Sequence, residues 1–144
     1  MKEYLLRYPD VKLILSNGTC GQNQKDLMSG HVDIAFMIWT SLELDHCHYH
    51  QLHKEEIVLI TSPNKYQHFD DYKKTKGLLI TLLRMKKGCS YRSMFEAHLV
   101  NHKLPKFQTM ELWSLEAIKQ AVMSGLGFAA LPYITVKMRL RMGY

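Results

Sequence analysis

The stretch Ser114–Pro132, SLEAIKQAVMSGLGFAALP, admits few folds. Ser114 is placed to accept a hydrogen bond from an orphan amide of a first helical turn. Glu116 sets a negative charge where the helix dipole favours one. Leu115, Ile118, Ala121 and Val122 recur at helical spacing, so one face is apolar. Gly125 supplies the left-handed conformation that ends helices, and Pro132 stops the short apolar run Phe128–Leu131. The pattern predicts a helix, a glycine turn and a buried strand, one unit of an α/β sheet. Asp26–Trp39, DLMSGHVDIAFMIW, has the same order: a helix end, a glycine and an apolar strand. Met-Ser-Gly occurs in both stretches, at Met28–Gly30 and Met123–Gly125. The repeated unit predicts two similar lobes.

The remaining segments fit that alternation. Residues 1–8 read as the tail of a helix, with Tyr4, Leu5 and Tyr8 on one face and Pro9 closing it. A domain seldom begins mid-helix, so an upstream segment is expected. Strands are predicted over 11–16, 32–37, 56–61, 78–83 and 106–111. Helices are predicted from Thr19 to Gly30, from Gly88–Ser90 through Leu99, and over 133–142. Residues 65–76 read as a short helix or a loop. Leu78–Leu83 is almost continuously apolar, as in the interior of a parallel sheet. The fold class is therefore α/β with mainly parallel pairing.

Composition narrows the function. The chain has 144 residues and a formal net charge of +6. That suits an acidic small ligand, or simply solvated surface. The blocks Arg84, Lys86, Lys87 and Lys137, Arg139, Arg141 are too short to read as a nucleic-acid tail. The three cysteines, Cys20, Cys47 and Cys89, are odd in number and form no Cys-x-x-Cys. This argues against a disulfide frame and for a reducing, cytoplasmic compartment. No apolar run approaches the roughly 20 residues of a membrane span, and the opening residues have no signal-peptide core.

Few motifs carry chemistry. Gly125-x-Gly127-x-x-Ala130 matches the dinucleotide fingerprint by letter, but it follows a helix and opens a strand, the reverse of what a pyrophosphate needs. No cofactor is expected. His46, His48 and His50 alternate around Cys47, with His53 after them. Imidazole and thiolate suit zinc or copper. With no second ligand group visible in the sequence, an exposed histidine-rich edge is the simpler reading, and no metal is assigned. There is no GxSxG elbow, HExxH or P-loop, so nothing supports an enzyme. Two segments do suggest a site. Gly18–Gln22 and Gly88–Tyr91 each lie between a predicted strand and a predicted helix, where open α/β sheets bind ligands and where helix amides attract anions. Ser114 offers a third such helix start. The candidate contacts are Thr19, Cys20, Gly88, Cys89, Ser90 and Ser114, with Lys87 suited to a carboxylate. Capping of their own helices is the alternative role for the hydroxyls.

The order and spacing of several segments together resemble a known family. They are Tyr8-Pro9-Asp10-Val11, Gly30-x-x-Asp33-Ile34-Ala35, Glu56–Ile60, the Tyr91–Leu99 helix, and Ser114-x-Glu116-Ala117-Ile118 through Gly125-x-Gly127-x-Ala129-x-Leu131-Pro132. The chain is similar over nearly its whole length to the effector-binding domain of LysR-type transcriptional regulators. The resemblance implies a two-lobed type-2 periplasmic-binding-protein-like fold with a small effector between the lobes. Lobe one, incomplete, would span 1–54, and lobe two 55–144. Thr19, with Cys20 beside it, resembles the family's polar contact in lobe one. Gly88–Ser90 and Ser114 resemble the facing side.

The resemblance also implies a homodimer or homotetramer, with the helix at the chain start in the interface. DNA contact would come only through an N-terminal helix-turn-helix domain. Against the family's plan this chain is expected to lack that domain, the first strand and polar loop of lobe one, and the segment that returns to lobe one. A solute-binding protein of a transport system, built on the same fold class, is the alternative reading.

Overall fold

Four short strands organise the part of the chain seen in the computed structural model, which describes residues 2–39, 47–62, 81–102 and 107–141. They are β1 (Ile57–Ile60), β2 (Thr81–Arg84), β3 (Gln108–Glu111) and β4 (Ala129–Pro132). β1 runs antiparallel to β4, with Ile57 opposite Pro132 and Ile60 opposite Ala129. β2 runs parallel to β3, with Thr81 opposite Gln108 and Arg84 opposite Glu111. The two ladders join at Phe128. Its amide donates to the Thr81 carbonyl at 3.0 Å, and its carbonyl accepts from Leu83 at 2.8 Å. The strand order is thus β1-β4-β2-β3 among the described residues, parallel at β4–β2 and β2–β3 and antiparallel at β1–β4. Gly127 permits the junction, because a Cβ there would lie 2.0 Å from the Thr81 carbonyl oxygen.

Five helices accompany these strands among the described residues: α1 (Lys2–Arg7), α2 (Cys20–Met28), α3 (Ser90–Asn101), α4 (Leu115–Met123) and α5 (Tyr133–Arg141). Thr19 caps α2 by accepting from the Gln22 amide at 3.2 Å, and Ser114 caps α4 by accepting from Ala117 at 3.5 Å. Both helices end at Met-Ser-Gly, and the two glycines have φ of 71° and 77°. The repeated turn read from the sequence is therefore real. α5 follows Pro132 and has no hydroxyl cap of its own. The Glu55 carboxylate serves instead, accepting from the Ile134 amide at 2.7 Å.

Every buried hydrophobic residue described lies between Leu82 and Val136. One cluster joins Leu83, Ile118, Val122, Ala129, Leu131 and Val136 with Cys89 and Tyr91. The α4 periodicity delivers Ile118 and Val122 into it at 0% and 2% exposure. The other cluster centres on Leu82 and Phe128, with Phe95, Leu99 and Phe107 packed around them. Phe128 meets Phe107 edge-to-face at 5.0 Å and Phe95 at 6.4 Å. On the other side of α3 the Arg92 guanidinium bonds Glu96 at 3.0 Å, Glu111 at 2.7 Å and the Met85 carbonyl at 2.8 Å. Arg84 adds a 2.5 Å bond to Glu96. These bonds fasten α3 to the ends of β2 and β3.

Two strand expectations fail. Residues 11–16 and 32–37 form no ladder among the described residues. Ile14 is 80% exposed, and Ile34 and Phe36 are 74% and 75% exposed. The alternation is present, but a strand exists only against a neighbour that takes up its amides and carbonyls. None of the described residues provides that neighbour. The expectation over 78–83 survives as β2, with 78–80 outside the described residues, as are residues 65–76.

Candidate functional site

The starts of α2 and α3 meet, although 70 residues separate them in the chain. Thr19 ends an extended segment and turns it into α2, so the first amides of that helix face away from its body. Cys89 does the same for α3 at the end of β2. The Gly21 amide then donates to the Gly88 carbonyl at 3.0 Å. Gly88 has φ of 95°, and a Cβ on it would sit 3.0 Å from the Thr19 hydroxyl oxygen. The Ser90 hydroxyl lies 3.3 Å from the Cys20 sulfur and donates to the Ile38 carbonyl, which also accepts from the Cys20 thiol at 3.6 Å. Three separate stretches of sequence therefore converge on a few polar atoms.

Four of the six residues singled out in the sequence, Thr19, Cys20, Gly88 and Ser90, come together in this way. Ser114 does not join them by any hydrogen bond among the described residues; its hydroxyl caps α4. Thr19 also caps its own helix, as the simpler reading of the hydroxyls holds. Cys89 makes no side-chain cap bond to α3. Its thiol instead belongs to the core, and burial pushes its pKa up. Burial likewise raises Tyr91 well above the usual phenol range, followed by its hydrogen bond with Cys89.

Sequence reasoning missed the Ile38 carbonyl. A backbone oxygen carries no residue signature, so no sequence signal marks it. It also missed the pair Lys86 and Trp113. These follow the carboxyl ends of the parallel strands β2 and β3, and the Lys86 ammonium stands 4.2 Å over the indole ring. Lys87, the expected carboxylate partner, is exposed. No cluster of three or more His, Cys, Asp or Glu that could hold a metal ion exists among the described residues, where His48 and His50 are exposed. His46 lies outside the described residues. Cys47 donates to the Met28 sulfur at 3.5 Å. No helix among the described residues is long and apolar enough to cross a membrane.

The sequence profile of the LysR substrate binding domain matches residues 1–144. The chain belongs to that family. It is 35% identical over 139 residues to the HTH-type transcriptional regulator YwqM of Bacillus subtilis, covering 95% of this chain and 47% of that one. It is 30% identical to the HTH-type transcriptional regulator YofA of Bacillus velezensis, covering 94% of this chain and 44% of that one. The chain thus spans about half the length of these relatives. The regulatory domain of Synechocystis CcmR, solved in complex with 2-PG, superposes with a TM-score of 0.71 at 20% identity. That match covers 94% of this chain and 65% of the CcmR chain. The shared α/β fold is of the two-lobed, periplasmic-binding-protein-like type. The LysR substrate binding domain is a module of regulators rather than an enzyme family.

Proposed function

We propose that this LysR substrate binding domain is the effector-sensing part of a cytoplasmic transcriptional regulator, with residues 1–54 and 55–144 as its two lobes. A small anion binds where α2 and α3 meet. The observation that carries this reading is the contact of the two helix starts at Gly21 and Gly88, 3.0 Å apart. Two helix N-termini aimed at one gap concentrate partial positive charge there. Thr19, Cys20 and Ser90 add hydroxyl and thiol contacts. An effector that binds one lobe arrangement more tightly shifts the balance between arrangements. DNA contact and assembly into a dimer or tetramer belong to the longer regulator, through a helix-turn-helix of the kind its relatives are named for. Because those relatives are regulators, this reading is favoured over a transport solute-binding protein.

A thermal-shift screen of carboxylates, phosphorylated carboxylates, amino acids and inorganic anions tests the proposal. CcmR was captured with 2-PG, so 2-PG leads the screen. A true ligand raises the melting temperature, by about 2.7 kcal/mol of stabilisation at a hundredfold excess over Kd. Thr19→Val and Ser90→Ala should each weaken the affinity by about 10- to 150-fold, the loss of one hydrogen bond to a charged group. If neither substitution changes the shift, the site is elsewhere.

A further inference from the structure

Both helix starts that meet at the site carry a cysteine. Cys20 immediately precedes Gly21, and Cys89 immediately follows Gly88. The 3.0 Å bond between the Gly21 amide and the Gly88 carbonyl therefore holds the two cysteines close. Standard backbone dimensions place their Cα atoms within about 8 Å. A disulfide needs roughly 4.4–6.8 Å, so the bond forms as the two helix starts close on each other. The Cys20 sulfur points at the first turn of α3, 3.3 Å from the hydroxyl of Ser90, the residue next to Cys89. The Cys89 thiol is held in the core and bonds the Tyr91 side chain, so that bond must break before the thiol can reach Cys20. Cys47 is far from both. Its thiol bonds Met28 at the other end of α2, about 12 Å along the helix from Cys20.

We propose that Cys20 and Cys89 form a reversible disulfide when the protein meets a peroxide, tying the start of α2 to the start of α3. Cys20 is only partly buried, whereas Cys89 is 7% exposed, so Cys20 reacts first. Its thiolate attacks one peroxide oxygen. The O–O bond breaks, one water leaves, and Cys20 becomes a sulfenic acid. The Cys89 thiol, released from Tyr91, then attacks that sulfur and gives up its proton; the S–O bond breaks, and the hydroxyl leaves with that proton as a second water as the S–S bond forms. In sum, two thiols are oxidised and one hydrogen peroxide is reduced to two waters. The bond joins two elements assigned to different lobes, so it holds the gap between them at one width. It forms whether or not an effector occupies that gap.

The test is hydrogen peroxide treatment of the native chain. Free thiols are then blocked with a maleimide, and the protein is analysed by non-reducing peptide mass spectrometry. The expected result is a monomer lighter by about 2 Da before blocking, the two hydrogens lost in forming a disulfide. A Cys20–Cys89 linked peptide should accompany a maleimide on Cys47, and dithiothreitol should reverse the change. Cys20→Ser should abolish the link, with an unchanged circular dichroism spectrum showing that the variant folds. In Cys89→Ser a sulfenic acid should accumulate on Cys20, detected with dimedone. A link through Cys47, or a Cys20–Cys89 link found only in denaturant, overturns the proposal. So does a native chain that forms no link while its Cys20 is oxidised further.

Discussion

Residues 2–39 and residues 81–136 use the same local device and end in different states. Each has a hydroxyl-capped helix, at Thr19 and at Ser114. Each helix closes at Met-Ser-Gly with a glycine in the left-handed region. Each glycine leads into an apolar stretch. After Gly125 that stretch becomes β4, held by β1 on one side and by β2 through Phe128 on the other. After Gly30 the stretch stays extended and exposed. The helices diverge likewise. α4 buries Ile118 and Val122, whereas α2, CGQNQKDLM, buries no residue. Caps and turns shape an element locally; only a hydrogen-bonded neighbour and an apolar face turn it into core.

Substitutions measure the contrast directly. The largest effect is expected at Phe128, which is fully buried against Phe95 and Phe107. Phe128→Ala should cost about 3–5 kcal/mol in urea unfolding. A loss below about 1 kcal/mol would mean that the C-terminal cluster does not govern stability. Arg92→Ala comes next, at about 2–3 kcal/mol, because it strips Glu96, Glu111 and the Met85 carbonyl of a shared donor. That figure lies below the range for buried pairs because both glutamates are partly solvated. Glu55→Ala removes the carboxylate at the start of α5 and should cost about 1 kcal/mol by the same assay. The smallest effects belong to the other region. Ile14→Ala and Phe36→Ala, although large apolar truncations, should each change stability by less than about 0.5 kcal/mol. A loss of 2 kcal/mol or more at either position would show that these segments are packed in solution, and the contrast between the regions would vanish.

The same contrast explains what could be read in advance. The helix boundaries were legible because caps, dipole charges and glycine stops act within a turn or two. Ser114, Gly125 and Pro132 each do what their chemistry predicts. The convergence of Thr19, Cys20 and Gly88–Ser90 was legible as a tendency of strand-to-helix turns. The Ile38 carbonyl was not, nor was Lys86 over Trp113, because neither contact has a sequence signature. Glu55 capping a helix 79 residues away is equally silent in the sequence.

By itself the sequence determined the local grammar: where helices begin and end, which faces are apolar, and that the chain is an α/β member of the LysR substrate binding domain family. Tertiary structure alone decided which apolar stretches became strands, that β1 pairs antiparallel with β4, and that two cysteine-bearing helix starts meet. The physical reason is range. Capping and backbone preference are satisfied by residues a few positions away, whereas ladders, burial and the meeting of helix ends depend on partners that the fold must bring from a distance.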